Sequence, residues 1–151
     1  GGLLMGAFLT QRPELARAVV SRVGIYDMLR VELDPNGQFN TTEFGTVTDQ
    51  AQFKALYSYS PFHNVKNGVS YPAVLLTTGE HDGRVNPSQS KKMTARLQEA
   101  TSSEKPILFR STAAAGHGIG TALNVRIAEQ ADILAFLWNQ LGIDGSRWEF
   151  K

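Results

Sequence analysis

Tyr71-Pro72-Ala73-Val74-Leu75-Leu76-Thr77-Thr78-Gly79-Glu80-His81-Asp82-Gly83-Arg84-Val85 is the stretch on which the reading of the chain turns. Its first part, Ala73 to Thr78, runs apolar without the alternation that a half-solvated strand would show. Such a run belongs to a parallel strand covered on both faces by helices. Its second part packs glycine, two acids, a histidine and an arginine into the loop that follows. Ligands of open α/β sheets bind beyond the carboxyl ends of the strands, so this loop is a candidate site.

Working outward, Asn86-Pro87 supplies an N-cap and a proline at the first helical position, followed by a helix to about Ala100 with Met93 and Leu97 on one face. Ile107-Leu108-Phe109 repeats the buried-strand signal and leads into a second loop, Ala115-Gly116-His117-Gly118. Beyond it, Ile127, Ala131, Leu134, Trp138 and Leu141 keep the four-three spacing of a long amphipathic helix. Upstream, Gly2 to Gln11 reads as a buried helix stopped at Arg12-Pro13. Ala18 to Val23 reads as a short β-branched strand, and Ile25 to Ser60 as an irregular, partly helical excursion with a turn at Asp34-Pro35-Asn36-Gly37. The order helix, strand, excursion, strand, helix, strand, helix predicts an α/β fold of three mostly parallel strands with flanking helices. Parallel sheets bury their edges, and the strand from Ala18 has no partner on its N-terminal side, so the expected sheet is incomplete.

The chain has 151 residues, 42% of them hydrophobic, enough for one folded domain. Fifteen basic and fourteen acidic residues are interspersed and leave a net charge of +1, which gives no footprint for nucleic acid or a membrane surface. No apolar run approaches the roughly 20 residues needed to cross a bilayer. Without cysteine there are no disulfides and no thiolate chemistry. The compartment stays open between cytoplasm and periplasm, since a domain of this size folds without disulfides.

A carboxylate after one strand and a glycine-flanked histidine after the next, in the order Asp82 then His117, match the second half of the Ser…Asp…His order of α/β-hydrolases. In that chemistry the aspartate fixes the imidazole tautomer, and the histidine takes and returns the serine proton. Glycines beside His117 are expected to let its backbone approach the nucleophile without a Cβ clash. Each residue also has a plainer reading: Asp82 as a turn former, His117 as a surface loop residue, Arg84 as the partner of a surface acid. His81 and Asp82 are neighbours in a loop and seldom converge on a metal, and His63 has no matching carboxylate, so no metal site is expected. No Gly-x-Ser-x-Gly elbow occurs in the chain, and Ser88, Ser90 and Ser111 read as helix-surface or strand-end residues.

Almost the whole chain resembles the prolyl oligopeptidases. Gly1-Gly2-Leu3-Leu4 is similar to the tail of the family's Gly-Gly-Ser-Asn-Gly-Gly-Leu-Leu elbow, and Gln11-Arg12-Pro13-Glu14-Leu15 to its Gln-Arg-Pro-Asp-Leu stretch. Tyr59-Ser60-Pro61-Phe62-His63-Asn64-Val65 resembles Tyr-Ser-Pro-Leu-His-Asn-Val. The family's His-Asp-Asp-Arg-Val acid loop and Gly-His-Gly base loop stand here as His81-Asp82-Gly83-Arg84-Val85 and Gly116-His117-Gly118.

The resemblance implies that residues 1–151 are the C-terminal part of an α/β-hydrolase catalytic domain, with Asp82 as triad acid and His117 as triad base. Arg84 then hydrogen-bonds a substrate carbonyl beside the scissile position, and Ile25, Phe44 and Val85 line the pocket for the P1 side chain. His63 falls in a stretch the family uses structurally. The serine belongs two positions before Gly1, and the oxyanion donors and the gating β-propeller also belong upstream. One departure bears on specificity. The family's proline-stacking tryptophan, in Trp-Thr-Thr-Asp-Tyr-Gly, aligns with Asn40 of Asn40-Thr41-Thr42-Glu43-Phe44-Gly45, with Phe39 a candidate substitute one position away.

The expected parent is a serine peptidase acting on short peptides through an acyl-enzyme, without metal or organic cofactor, and the isolated segment is expected to be inert and prone to self-association. A dipeptidyl peptidase, an acylaminoacyl peptidase, an esterase or a non-catalytic interaction module are the alternatives.

Overall fold

A computed structural model of the chain describes residues 1–118 and 120–144; positions 145–151 of the expected domain lie outside the described residues. The elements, in chain order, are α1 (Gly2–Gln11), β1 (Ala18–Arg22), α2 (Gly37–Phe44), α3 (Gln50–Tyr59), α4 (Pro61–Asn64), β2 (Ala73–Gly79), α5 (Ser88–Ala100), β3 (Ile107–Thr112) and α6 (Leu123–Leu141), with single 3-10 turns at Pro13–Leu15 and Val31–Leu33. The strands form one parallel sheet in the order β1-β2-β3, with Val74 opposite Val19 on one side and Ile107 on the other.

β2 is buried at every position, as its unbroken apolar run requires. Its alternate residues feed two cores. Val74 and Leu76 pack with Val19, Leu9, Met93 and Leu97, and Ala73 and Leu75 pack on the other face with Ile133 and Phe136 of α6. Met93 and Leu97 are fully buried, and each such side chain contributes roughly 1.5–3 kcal/mol by leaving water. A third cluster, Met28, Val31 and Leu56, gives the excursion between β1 and β2 its own small core. The expected turn at Asp34–Gly37 closes through the Gly37 N–H on the Asp34 carbonyl at 2.7 Å and opens directly into α2.

Several elements depart from their expected settings. α1 is only partly buried: Gly6, Leu9 and Thr10 are covered, whereas Leu4 is exposed. β3 is an edge strand with only Ile107 buried, because among the described residues it pairs with β2 alone. α5 begins at Ser88, one residue beyond the proline expected to open it, although the Asn86 side chain does accept the Ser88 N–H at 2.9 Å. β1 stops at Arg22 because Val23 takes a φ of +44°, its N–H still reaching the Thr77 carbonyl at 2.9 Å. A left-handed backbone costs a β-branched residue on the order of 1–2 kcal/mol, and this one stands at the edge of the site described below.

α6 forms where the four-three spacing places it. The stripe Ile127, Ala131, Leu134, Trp138 and Leu141 does lie along one face, but that face is turned away from the sheet; Ile127 is 59% and Leu134 62% exposed. Ile133 and Phe136, on the opposite side of the helix, pack on the sheet instead. α6 therefore carries two apolar faces, and a single sheet can cover only one.

Candidate active site

The loop after β2 turns on the Asp82 N–H, which donates to the Gly79 carbonyl at 3.2 Å. The Asp82 side chain is fully buried, and its two oxygens divide the work. Oδ1 accepts the N–H groups of Arg84 and Val85 at 2.9 and 2.8 Å, the local bonding that makes aspartate a turn former. Oδ2 stands 2.8 Å from Nδ1 of His117. One oxygen of Asp82 thus holds the turn, and the other faces the His117 ring.

His117 is brought there by the loop after β3. The Glu80 N–H donates to the Thr112 carbonyl at 3.0 Å and the His81 N–H to the Ala115 carbonyl at 3.1 Å, so the two loops are joined along their backbones. Gly79 makes this possible, because a Cβ there would stand 2.3 Å from the Ala115 oxygen. Within this chain a Cβ at Gly116 would meet only the His81 carbonyl oxygen at 3.4 Å, and Gly118 takes a φ of +114°. A carboxylate oxygen at this distance from Nδ1 favours the tautomer with its hydrogen on Nδ1, which leaves the Nε2 lone pair free.

Beside His117 a cleft of about 200 Å³ is lined by Ile25, Asn40, Phe44, Arg84 and Val85, so every pocket residue expected from the sequence borders one space. Ile25 follows the end of β1. Asn40 and Phe44 are four apart on α2 and share a face. Arg84 is exposed and in no ion pair among the described residues, which leaves its guanidinium without the surface acid of its plainer reading. Phe39, the candidate substitute for an aromatic at Asn40, does not line the cleft and is 79% exposed. Sequence reasoning missed Glu43 and Val23, which also border the cleft. Glu43 was within reach of the helical period, three residues from Asn40; Val23 carries no signal beyond its neighbour Gly24.

His63 is partly buried, its Nδ1 2.9 Å from the Ser60 hydroxyl, in line with a packed residue. Ser90 is buried on α5 instead of lying on the helix surface, Ser111 bonds to Glu80, and neither borders the cleft, nor does Ser88. No cluster of three or more His, Asp or Glu able to hold a metal is found among the described residues.

A parallel sheet that delivers a buried acid and a histidine from the loops after adjacent strands is the C-terminal part of an α/β-hydrolase domain, open on its β1 side. The chain belongs to the prolyl oligopeptidase family, whose model matches residues 1–144. It is 43% identical over 144 residues to the prolyl endopeptidase of Elizabethkingia meningoseptica, covering 95% of this chain and 20% of that relative. It is 32% identical over 146 residues to dipeptidyl aminopeptidase BI of Pseudoxanthomonas mexicana, again covering 95% of this chain and 20% of the relative. Among solved structures, a prolyl endopeptidase studied for inter-domain dynamics in catalysis and specificity superposes with a TM-score of 0.92 at 40% identity, over 95% of this chain and 21% of that one. Prolyl oligopeptidase B from Galerina marginata, bound to a 35-residue hydrolysis and macrocyclisation substrate, superposes at 0.90 with 31% identity, over 95% and 21%. The chain thus spans about a fifth of the length of the relatives it matches.

Proposed function

We propose that the intact protein containing this segment is a serine peptidase that cleaves short peptides through an acyl-enzyme, with Asp82 and His117 as the acid and base of its triad. The 2.8 Å contact between Asp82 Oδ2 and His117 Nδ1 carries the reading, because it fixes the tautomer that general-base catalysis needs. His117 Nε2 takes the proton of a serine supplied by the elbow that precedes Gly1 in the family's pattern. The serine oxygen attacks the scissile carbonyl, and the resulting oxyanion is held by donors that the same pattern places upstream. His117 then returns the proton to the departing amine, and water repeats the cycle on the acyl-enzyme. Arg84 holds a substrate carbonyl next to the scissile bond, while Ile25, Asn40, Phe44 and Val85 receive the P1 side chain. The scheme uses no metal or organic cofactor, and a β-propeller upstream gates access to it.

Labelling of the intact protein by an active-serine phosphonate, together with cleavage of a panel of peptides and esters, tests the assignment. Labelling with peptide turnover is expected; cleavage of esters alone would make the parent an esterase. The match to a dipeptidyl aminopeptidase supports a second reading, removal of N-terminal dipeptides. Blocking the substrate's amino group would abolish that activity and leave an endopeptidase unaffected.

At P1, Asn40 offers no ring for proline to stack on, an interaction worth roughly 0.5–1.5 kcal/mol beyond area burial. Asn40→Trp in the intact protein is therefore expected to raise kcat/KM for P1 proline over P1 alanine by about two- to tenfold. An unchanged ratio would remove Asn40 from the P1 wall.

A further inference from the structure

Outside the Asp82–His117 pair, the most heavily bonded buried polar cluster lies where the excursion leaves β1 and meets α5. Gln89, 1% exposed, uses its Oε1 to accept the N–H groups of Tyr26 and Asp27 at 3.1 and 2.8 Å, and its amide donates to Asp34 Oδ2 at 3.0 Å. One turn further along α5, Lys92 Nζ reaches Asp27 Oδ2 at 2.7 Å, a contact shared with Arg30 at 3.1 Å. Asp27 is 1% exposed, and its Oδ1 faces His63 Nδ1 at 3.8 Å. Burial pushes the Asp27 carboxyl up, but Lys92 and Arg30 outweigh it and hold the group below the usual carboxylate range, so it is an anion at neutral pH. Ser60 closes the cluster from the junction of α3 and α4, its hydroxyl accepting the Met28 N–H at 3.1 Å and donating to the Tyr26 carbonyl at 3.2 Å.

These bonds join two elements that matter to the cleft. The acid loop that holds Asp82, Arg84 and Val85 runs straight into α5, and the backbone clasped by Gln89 lies between Ile25 and the helix that carries Asn40 and Phe44. We infer that Gln89 and Lys92, with Asp27, are positioning residues that fix the P1 wall against the loop bearing the acid and Arg84. The inference rests on the peptidase reading above. Buried amide acceptors for two consecutive backbone N–H groups leave little freedom for slippage, and an ångström of misplacement at a reacting centre can cost about a hundredfold in rate.

The test uses the intact protein, a series of peptides that differ only at P1, and a small active-serine phosphonate without a P1 group. In Gln89→Met, which keeps the side chain's length but removes both functions of its amide, kcat/KM for the preferred P1 residue is expected to fall about tenfold, mostly through KM. Discrimination against P1 alanine should shrink with it, while phosphonate labelling stays within about twofold of the wild type. Equal losses for all peptides and for the phosphonate, or intact discrimination in a protein of unchanged Tm, would overturn the clasp. Should Gln89→Met unfold at the assay temperature, Lys92→Met decides, because that side chain is partly exposed and its loss leaves Arg30 on Asp27. It should narrow discrimination by about threefold, and no change would overturn the inference. A wild-type protein that cleaves no peptide would overturn the peptidase reading and the clasp's role with it, whereas normal cleavage with selectivity indifferent to both variants would overturn the clasp alone.

Discussion

The 151-residue chain by itself is expected to hydrolyse neither peptides nor esters and to leave an active-serine phosphonate unreacted. His117 can take a proton only from a nucleophile within reach, and no serine of this sequence stands in a nucleophile elbow. Serine proteases stripped of their triads retain about 10³–10⁴-fold acceleration from the oxyanion hole and from binding. Those donors belong upstream in the family's pattern, so even that remnant should be absent. Mixing with a segment that contains the elbow should restore both labelling and turnover, because among the described residues β1 pairs with β2 alone and α6 shows an exposed apolar stripe. Left alone, the chain should self-associate through the same surfaces. Stoichiometric labelling of a homogeneous sample, confirmed by mass to begin at Gly1, would sink the prediction and require a nucleophile within this sequence.

In the intact protein, Asp82→Asn is expected to lower kcat by about four orders of magnitude, the size of effect seen in another serine protease when the aspartate that fixes the histidine tautomer becomes an amide. The amide can still accept the Arg84 and Val85 N–H groups through its oxygen, so the turn survives and the loss falls on His117. The substitution presents an NH₂ where Oδ2 stood, which favours the tautomer with hydrogen on Nε2 and removes the basic lone pair from the reacting side. A loss smaller than tenfold, with the fold intact, would remove Asp82 from the catalytic machinery.

The elements that set this geometry were legible because their signals are local. β2 announced itself by an unbroken apolar run and Asp82 and His117 by their places in the loops after two such runs, whereas Ile25, Asn40, Phe44, Arg84 and Val85, which border one cleft with His117, came from the family resemblance. What could not be read was how much of each element the rest of the molecule covers. β3 and α1 carry apolar residues suited to burial, yet Leu108 and Leu4 are exposed because no described neighbour lies over them. The four-three spacing in α6 is a true apolar face, but spacing alone does not say which of two faces meets the sheet, and Ile133 and Phe136 won that contact. The need for glycine at Gly79 carries no sequence signal, since it depends on where a carbonyl of the loop after β3 passes, which only the tertiary register decides. The same holds for Gln89, a polar residue on α5 whose backbone partners Tyr26 and Asp27 are more than sixty positions away along the chain, beyond any sequence window.

The two apolar faces of α6 bear on how an intact domain comes apart. In a domain that lays further layers over the exposed stripe, α6 is a seam common to both cores, and melting either side uncovers an apolar face of the same helix. Unfolding should then be a single cooperative event, with no stable half-domain on the way, and a residue on either face of the helix weakens the whole in equal measure to the contact it loses.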